Sequence, residues 1–195
     1  MNAILRPAIA VVGLFTLLLG IAVPLGMTGI AGAVFPRQAG GSLIERDGRV
    51  VGSALIGQNF TDPRYFHPRP SATSEPDPDN AGSTRSAPYN AAASAASQGG
   101  PTSAALLETL RERVEDLGGG SVPADAATAS ASGLDPHISL ENAARQVVRV
   151  AQARGLPAAR VTELLNQRTE DREFGFLGEP RLNVLGLNMA LDRLR

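Results

Sequence analysis

The stretch TASASGLDPHIS, Thr128 to Ser139, gathers the side-chain types that do chemistry. It holds Ser130, Ser132, Asp135 and His137 within eight positions. A serine nucleophile needs a base and a strained elbow such as G-x-S-x-G, and SASGLD is not that pattern. Asp135 and His137, with the distant His67, would supply metal ligands, but Asp-x-His by itself is a weak signal. Turn and capping chemistry accounts for the same residues. Gly133 permits a backbone conformation closed to residues with a Cβ, and Pro136 fixes φ after Asp135. Ser139 suits the N-cap of a helix beginning at residue 140, whose free N–H groups would also suit an anion. Catalytic and metal-ligating residues are therefore expected to be none.

Other patterns that resemble sites fail on spacing. Glu75, Asp77 and Asp79 suggest calcium, but an EF-hand loop counted from Asp77 ends on Pro88 instead of Glu. Gly118-Gly119-Gly120 has no following Lys and reads as a helix stop, not a phosphate loop. Arg145 and Arg149 share one helix face and read as solvated. The segment GQNFTDPRYFHPRPSA (57–72) is different. Its prolines break regular structure, and it presents Gln58, Asn59, Phe60, Tyr65, Phe66, His67, Arg69 and Ser71 as hydrogen-bonding and aromatic handles.

These segments need a scaffold. Two strand-like runs around Asp47-Gly48 predict a hairpin over 42–56, because that dipeptide suits a turn with positive φ. Residues 103–117 predict a helix with Leu106, Leu110, Val114 and Leu117 on one face. Ser139 and Gly155 bracket a helix over 140–154, with Leu140, Ala144, Val147, Val148 and Ala151 expected inward. Pro157 opens another, with Val161, Leu164 and Leu165 inward. Residues 173–182 read as loop or short strand. Asn183 caps a last helix through Leu194, with Val184, Leu187, Leu191 and Leu194 inward. The polar, Ala/Ser/Pro-rich segment 73–102 cannot bury enough apolar area to fix itself and predicts a flexible loop.

The chain has 195 residues, 43% hydrophobic but only 4% aromatic, so the core is expected to be aliphatic. A net charge of −1 gives no basic face for nucleic acid. All 18 basic residues are Arg, which excludes lysine chemistry, and the absence of Cys excludes thiolates, disulfides and Cys-bound zinc. No charged residue lies between Arg6 and Arg37, a run longer than the roughly 20 apolar residues that span a bilayer. It predicts a membrane anchor over 1–36. A cleaved signal peptide, cut after Ala33 in the small-x-small triplet Ala31-Gly32-Ala33, is the competing reading. The short N-terminal tail resembles a signal anchor and favours export of the rest of the chain, although the flanking arginines do not by count favour that orientation. The overall expectation is α+β: a single N-terminal transmembrane helix, then one soluble domain (37–195) with a small antiparallel sheet and several helices.

Five separated stretches resemble a known family: GSALIGQNF (52–60), YFHPRPSA (65–72), VPADAATASASGLDPHIS (122–139), QVVRVAQARGL (146–156) and GEPRLNVLGLNMALDRL (178–194). With the anchor, they resemble the C subunit family of the Kdp potassium-transporting ATPase, in order and over nearly the whole chain. The resemblance implies an accessory subunit that is not an enzyme alone. It implies three partners in the bacterial plasma membrane: a P-type ATPase subunit, a channel-like potassium-binding subunit and a small membrane subunit. Potassium is the transported ion, and ATP enters through the ATPase subunit. It further implies a catalytic chaperone that raises the nucleotide affinity of that subunit. A soluble domain on the outer face cannot touch cytoplasmic ATP, so any such effect is indirect. If ATP is contacted, Gln58 is the candidate. Asn59, Phe60, Tyr65, Phe66, His67, Arg69, Ser71, Ser132, Gly133, Asp135 and His137 form the implied motif surface. Pro68 stands where the family usually has Gly, and Ala95-Ala96-Ser97-Gln98 where it has Gly-Gly-Ser-Asn. Two other classes stay open: a secreted or anchored binding domain without a pump, and a hydrolase using Ser130 or Ser132 with His137.

Overall fold

The computed structural model describes residues 2–97 and 99–194, so Gln98 of the altered glycine-rich signature lies outside the described residues. The chain forms two units, the first running through Val51 and the second starting at Gly52.

The first unit is dominated by one apolar helical span, Ala3–Val34. It consists of α1 (Asn2–Leu17), a π-helical turn (Leu18–Ala22) and α2 (Val23–Val34). The wide turn has a local cause. Pro24 has no N–H and its ring clashes with the carbonyl of the preceding turn in an ideal α-helix. The Val23 N–H instead reaches back to Leu18 O, one residue further than an α-helical bond. A short α3 (Pro36–Ala39) leads into a hairpin of β1 (Leu43–Arg46) and β2 (Arg49–Ser53). As expected, Asp47 and Gly48 turn it, both with positive φ, 52° and 73°.

In the second unit, β3 (Ser74–Pro76) and β4 (Thr84–Ser86) pair antiparallel, within the segment whose composition suggests a flexible loop. Next come α4 (Ala104–Asp116), capped by Ser103, and a short α5 (Ala124–Ala127). β5 (His137–Ser139) pairs antiparallel with β6 (Arg181–Asn183) and sets Ile138 opposite Leu182. Three further helices complete the unit. α6 (Leu140–Arg154) starts on the Ser139 hydroxyl and ends at Gly155 in the left-handed conformation. α7 (Ala158–Arg168) begins after Pro157, and α8 (Val184–Leu191) starts on the Asn183 side chain. The expected order, a long apolar helix and then helices with small antiparallel pairing, is what the chain shows; among the described residues the pairing is divided into three two-stranded sheets.

The core lies between α6, α7, α8 and the β5–β6 pair. It contains Ile138, Val147, Val150, Val161, Leu164, Leu165, Leu182, Leu187 and Leu191, with Phe66 as the fully enclosed aromatic among the described residues. Each such side chain is worth roughly 1.5–3 kcal/mol when fully buried. One expectation is corrected here. On α6, Val147 and Ala151 do face inward, but Leu140, Ala144 and Val148 are exposed. The inward stripe includes the amides Asn142 and Gln146, which are 3% and 9% exposed.

Candidate functional site

The motif segments meet around the extended stretch Tyr65–Pro68. In an extended chain, successive residues point their backbone groups to opposite sides, where a sheet would place two neighbouring strands. Here two side-chain amides take the place of those strands. On one side, the Phe66 N–H donates to Asn188 Oδ1 at 2.9 Å and Asn188 Nδ2 donates to Phe66 O at 3.0 Å. On the other, the His67 N–H donates to Gln146 Oε1 at 2.7 Å and Gln146 Nε2 donates to His67 O at 3.1 Å. Gln146 uses its whole inventory, because Nε2 also donates to Asn142 Oδ1 and Oε1 also accepts from Arg149 Nη2. The network continues in both directions. Asn142 Nδ2 donates to Asp125, whose carboxylate also takes the N–H and hydroxyl of Ser139. Arg149 Nη1 donates to the carbonyls of Pro63 and Tyr65. Buried polar groups are tolerable only when satisfied in this way.

The stretch Thr128–Ser139 docks beside it through Arg69. Arg69 Nη1 pairs with Asp135 Oδ2 at 2.8 Å, and the other Asp135 oxygen accepts the His137 N–H at 3.0 Å. His137 stands between Asp135 (Nδ1–Oδ1 3.4 Å) and Glu170 (Nε2–Oε2 3.7 Å). Burial opposes ionisation of Asp135, but the hydrogen bonds from His137 and from Arg69 outweigh it and hold its carboxyl below the usual range. The Ser71 hydroxyl donates to Gly133 O at 2.7 Å and accepts the Tyr89 N–H. The Tyr89 hydroxyl donates to Arg69 O, and burial, aided by the Asp135 charge, raises its pKa well above the ordinary phenol value. Two glycines are sterically required. A Cβ on Gly133, which has φ +68°, would lie 2.6 Å from Ala95 O. A Cβ on Gly57 would meet the Tyr89 ring at 2.3 Å.

The expected surface residues thus divide. Phe66 is fully buried and Gly133 is buried, so the expectation of a partner surface does not extend to them. Ser71, Asp135 and Arg69 brace the domain. Ser132 accepts the Leu134 N–H, and its carbonyl takes Ala95 N–H and the Ser94 hydroxyl. Tyr65 packs on Phe60 at 5.5 Å, under the Arg154 guanidinium at 4.8 Å, and its hydroxyl donates to Asp192. Asn59, Phe60, His67 and Arg69 line an open cleft of about 440 Å³ together with Tyr89 and Arg113. Arg69, Asp135 and His137 line another of about 390 Å³ with Asp125, Glu179 and Arg181. Burial, then the neighbouring Arg149 charge, lowers the His67 pKa and keeps its ring neutral at pH 7. Gln58 is half-buried, and a Cβ on Gly52 would fall 2.3 Å from its Nε2. The hydroxyls of Ser130 and Ser132 lie against each other at 3.5 Å. Among the described residues, no group of three or more His, Asp or Glu side chains is placed to hold a metal.

The residues that hold this arrangement, Asn142, Gln146, Arg149, Asn188 and Asp125, were not among the expected site residues. Their signal was available: two amides four apart on α6 and one in the middle of an otherwise apolar α8.

The arrangement is that of a cross-braced α+β domain that follows a helix long and apolar enough to cross a membrane. A family model described as KdpC: K+-transporting ATPase, c chain, matches residues 5–193. The potassium-transporting ATPase KdpC subunit of Bradyrhizobium diazoefficiens is 56% identical over 193 residues, covering 97% of this chain and 96% of the relative. Those of Methylobacterium nodulans and Rhodopseudomonas palustris (strain BisB18) are 55% and 54% identical over 194 and 192 residues, with coverage of 96–97% on both sides. The chain belongs to the KdpC family, the non-catalytic accessory subunits of the potassium-transporting Kdp ATPase.

Proposed function

We propose that this chain assembles and stabilises an ATP-driven potassium import complex in the bacterial plasma membrane. Its partners are a P-type ATPase subunit, a channel-like potassium-binding subunit and a small membrane subunit. The reading rests on one observation above all. The motif side chains are spent on bracing a rigid body around Tyr65–Pro68, and that body is fused to an apolar span of 32 residues. A part of this kind holds position against neighbours. The test is a pull-down of the tagged chain from native membranes in mild detergent. Recovery of a P-type ATPase subunit and a channel-like subunit is expected, and recovery of neither overturns the proposal.

The soluble domain sits on the outer face in this reading. The chain has no Cys, so an Ala153→Cys variant on the exposed side of α6 places a single thiol there. A membrane-impermeant maleimide is expected to label it in intact cells whose outer envelope has been opened. Any effect on nucleotide affinity is then transmitted through the partners. What supports this is the Gln58 amide, set against Gly52 within the domain. Gln58→Ala is expected to leave the ATP affinity of the assembled complex unchanged, and a large loss would restore direct contact.

A further inference from the structure

Residues Glu170–Arg181 form a hairpin that the bracing network leaves at the surface. Bridges between Glu170 and Arg181 and between Glu173 and Leu177 close it. Its tip carries Phe174 and Phe176, 85% and 70% exposed, with Leu177 beside them at 48%. Three large apolar side chains side by side on a projecting tip are unlike the scattered exposed leucines of ordinary surfaces. The turn itself breaks a local rule. Phe174 and Gly175 both have positive φ, 53° and 79°, and the Phe176 N–H closes the turn on Glu173 O. Three residues lie between the bridged pair Glu173 and Leu177, and the Leu177 N–H also donates to Glu173 O, at 2.9 Å. Turn positions with positive φ are normally left to Gly, Asn or Asp, as at Asp47-Gly48 of this chain. A phenylalanine at positive φ is a genuine outlier, and such outliers collect at functional positions.

The charges select among occupants. The hairpin holds Glu170, Asp171, Glu173 and Glu179 against Arg172 and Arg181, a net charge of −2. Internal pairs stiffen it: Arg172 with Glu179 at 2.5 Å, and Arg181 with Glu170 at 3.2 Å and Glu173 at 3.6 Å. Anionic lipid attracts basic residues and repels carboxylates, so this tip is poorly matched to a bilayer surface. It matches an apolar pocket with a basic rim on another protein, because rim charges of opposite sign steer and register docking.

We propose that the Phe174–Leu177 tip inserts into an apolar, basic-rimmed pocket on another subunit of the complex. This rests on the assembly reading above. In the full-length complex, a photo-reactive phenylalanine analogue at position 176 is expected to crosslink to another subunit. A Phe174→Asn/Phe176→Ser double variant keeps a favourable turn and removes both rings. It is expected to weaken retention of the partner subunits by at least about tenfold, the ordinary effect of losing aromatic interface anchors, while the thermal unfolding midpoint of the chain does not fall. Crosslinking to lipid, to a second copy of this chain or to nothing, or wild-type retention by the double variant, overturns the proposal. If the wild-type chain recovers no pump subunit at all, the assembly reading fails instead, so the two failures are distinguishable.

Discussion

Tyr65–Pro68 and the turn Glu173–Leu177 are both short stretches that carry phenylalanine, and the protein treats them in opposite ways. In the first, Phe66 is wholly enclosed and its backbone N–H and C=O are both held by Asn188. In the second, Phe174 and Phe176 stand out in solvent on a turn whose backbone disfavours a bulky side chain. The first places an aromatic ring where the fold needs it. The second accepts a local conformational penalty to hold rings where the isolated fold has no use for them. A bulky apolar residue that is locally unfavourable and contributes nothing to the core marks a place where something outside the chain is the reason.

The largest test of the contrast removes the clasp. Asn188→Ala leaves the Phe66 N–H and C=O buried without partners, and each such group costs about 1–3 kcal/mol. A loss of about 3 kcal/mol in denaturant unfolding is expected. A loss near zero would mean that the buried stretch is no better held than the exposed one. Gly133→Ala comes next. A Cβ at φ +68° and 2.6 Å from the Ala95 carbonyl must displace backbone on the Ser71 side of the same network, and a loss of about 2 kcal/mol is expected in the same assay.

Acidification probes the clasped stretch and the Arg69–Asp135 pair beside it. The folded-state pKa of His67 lies below its ordinary value of 6.5, and that of Asp135 lies below 3.8. Both are depressed, so each contributes stability at higher pH. His67 contributes above its unfolded value, and the contribution is lost as pH falls through its folded value. Asp135 does the same lower on the scale. Unfolding measured against pH is expected to show stability declining first below about 6.5. His67→Gln is expected to flatten that first decline and leave the Asp135 step in place. The smallest effect is a gain: Phe174→Asn relieves the strained turn and is expected to raise stability by roughly 0.5–1 kcal/mol, read as a higher melting temperature.

Boundaries were readable in the sequence because their chemistry is local. Ser139 and Asn183 each cap a helix with their own side chain, Gly155 ends α6, and Gly48 adopts the positive φ that its position suggested. The inward face of α6 was not readable by counting apolar residues. Asn142 and Gln146 belong to the core only because Asp125 and the His67 backbone, distant in sequence, arrive to satisfy them. The 73–102 segment is a similar case. Its composition is that of a loop, yet within its first part Thr73 and Asn90 bond to Ala87 O and Ser74 O, and Tyr89 ties it to Arg69 O. The hairpin tip was hidden for another reason. FGFLG reads as any apolar fragment until its neighbours turn out not to cover it.

The wide turn at Leu18–Ala22 has a geometric result for anything that lies alongside the anchor. An α-helix advances about 100° per residue, and a π turn absorbs one extra residue. The two halves of the span are therefore out of phase with the pattern a uniform helix would give. A neighbouring helix running along one side meets one stripe of residues along α1 and, past the turn, a stripe displaced by one place in the sequence along α2. No single repeat describes that side. Shortening the turn by one residue would leave both stripes pointing as they do, whereas a one-residue change elsewhere in the span would swing half of it around the axis.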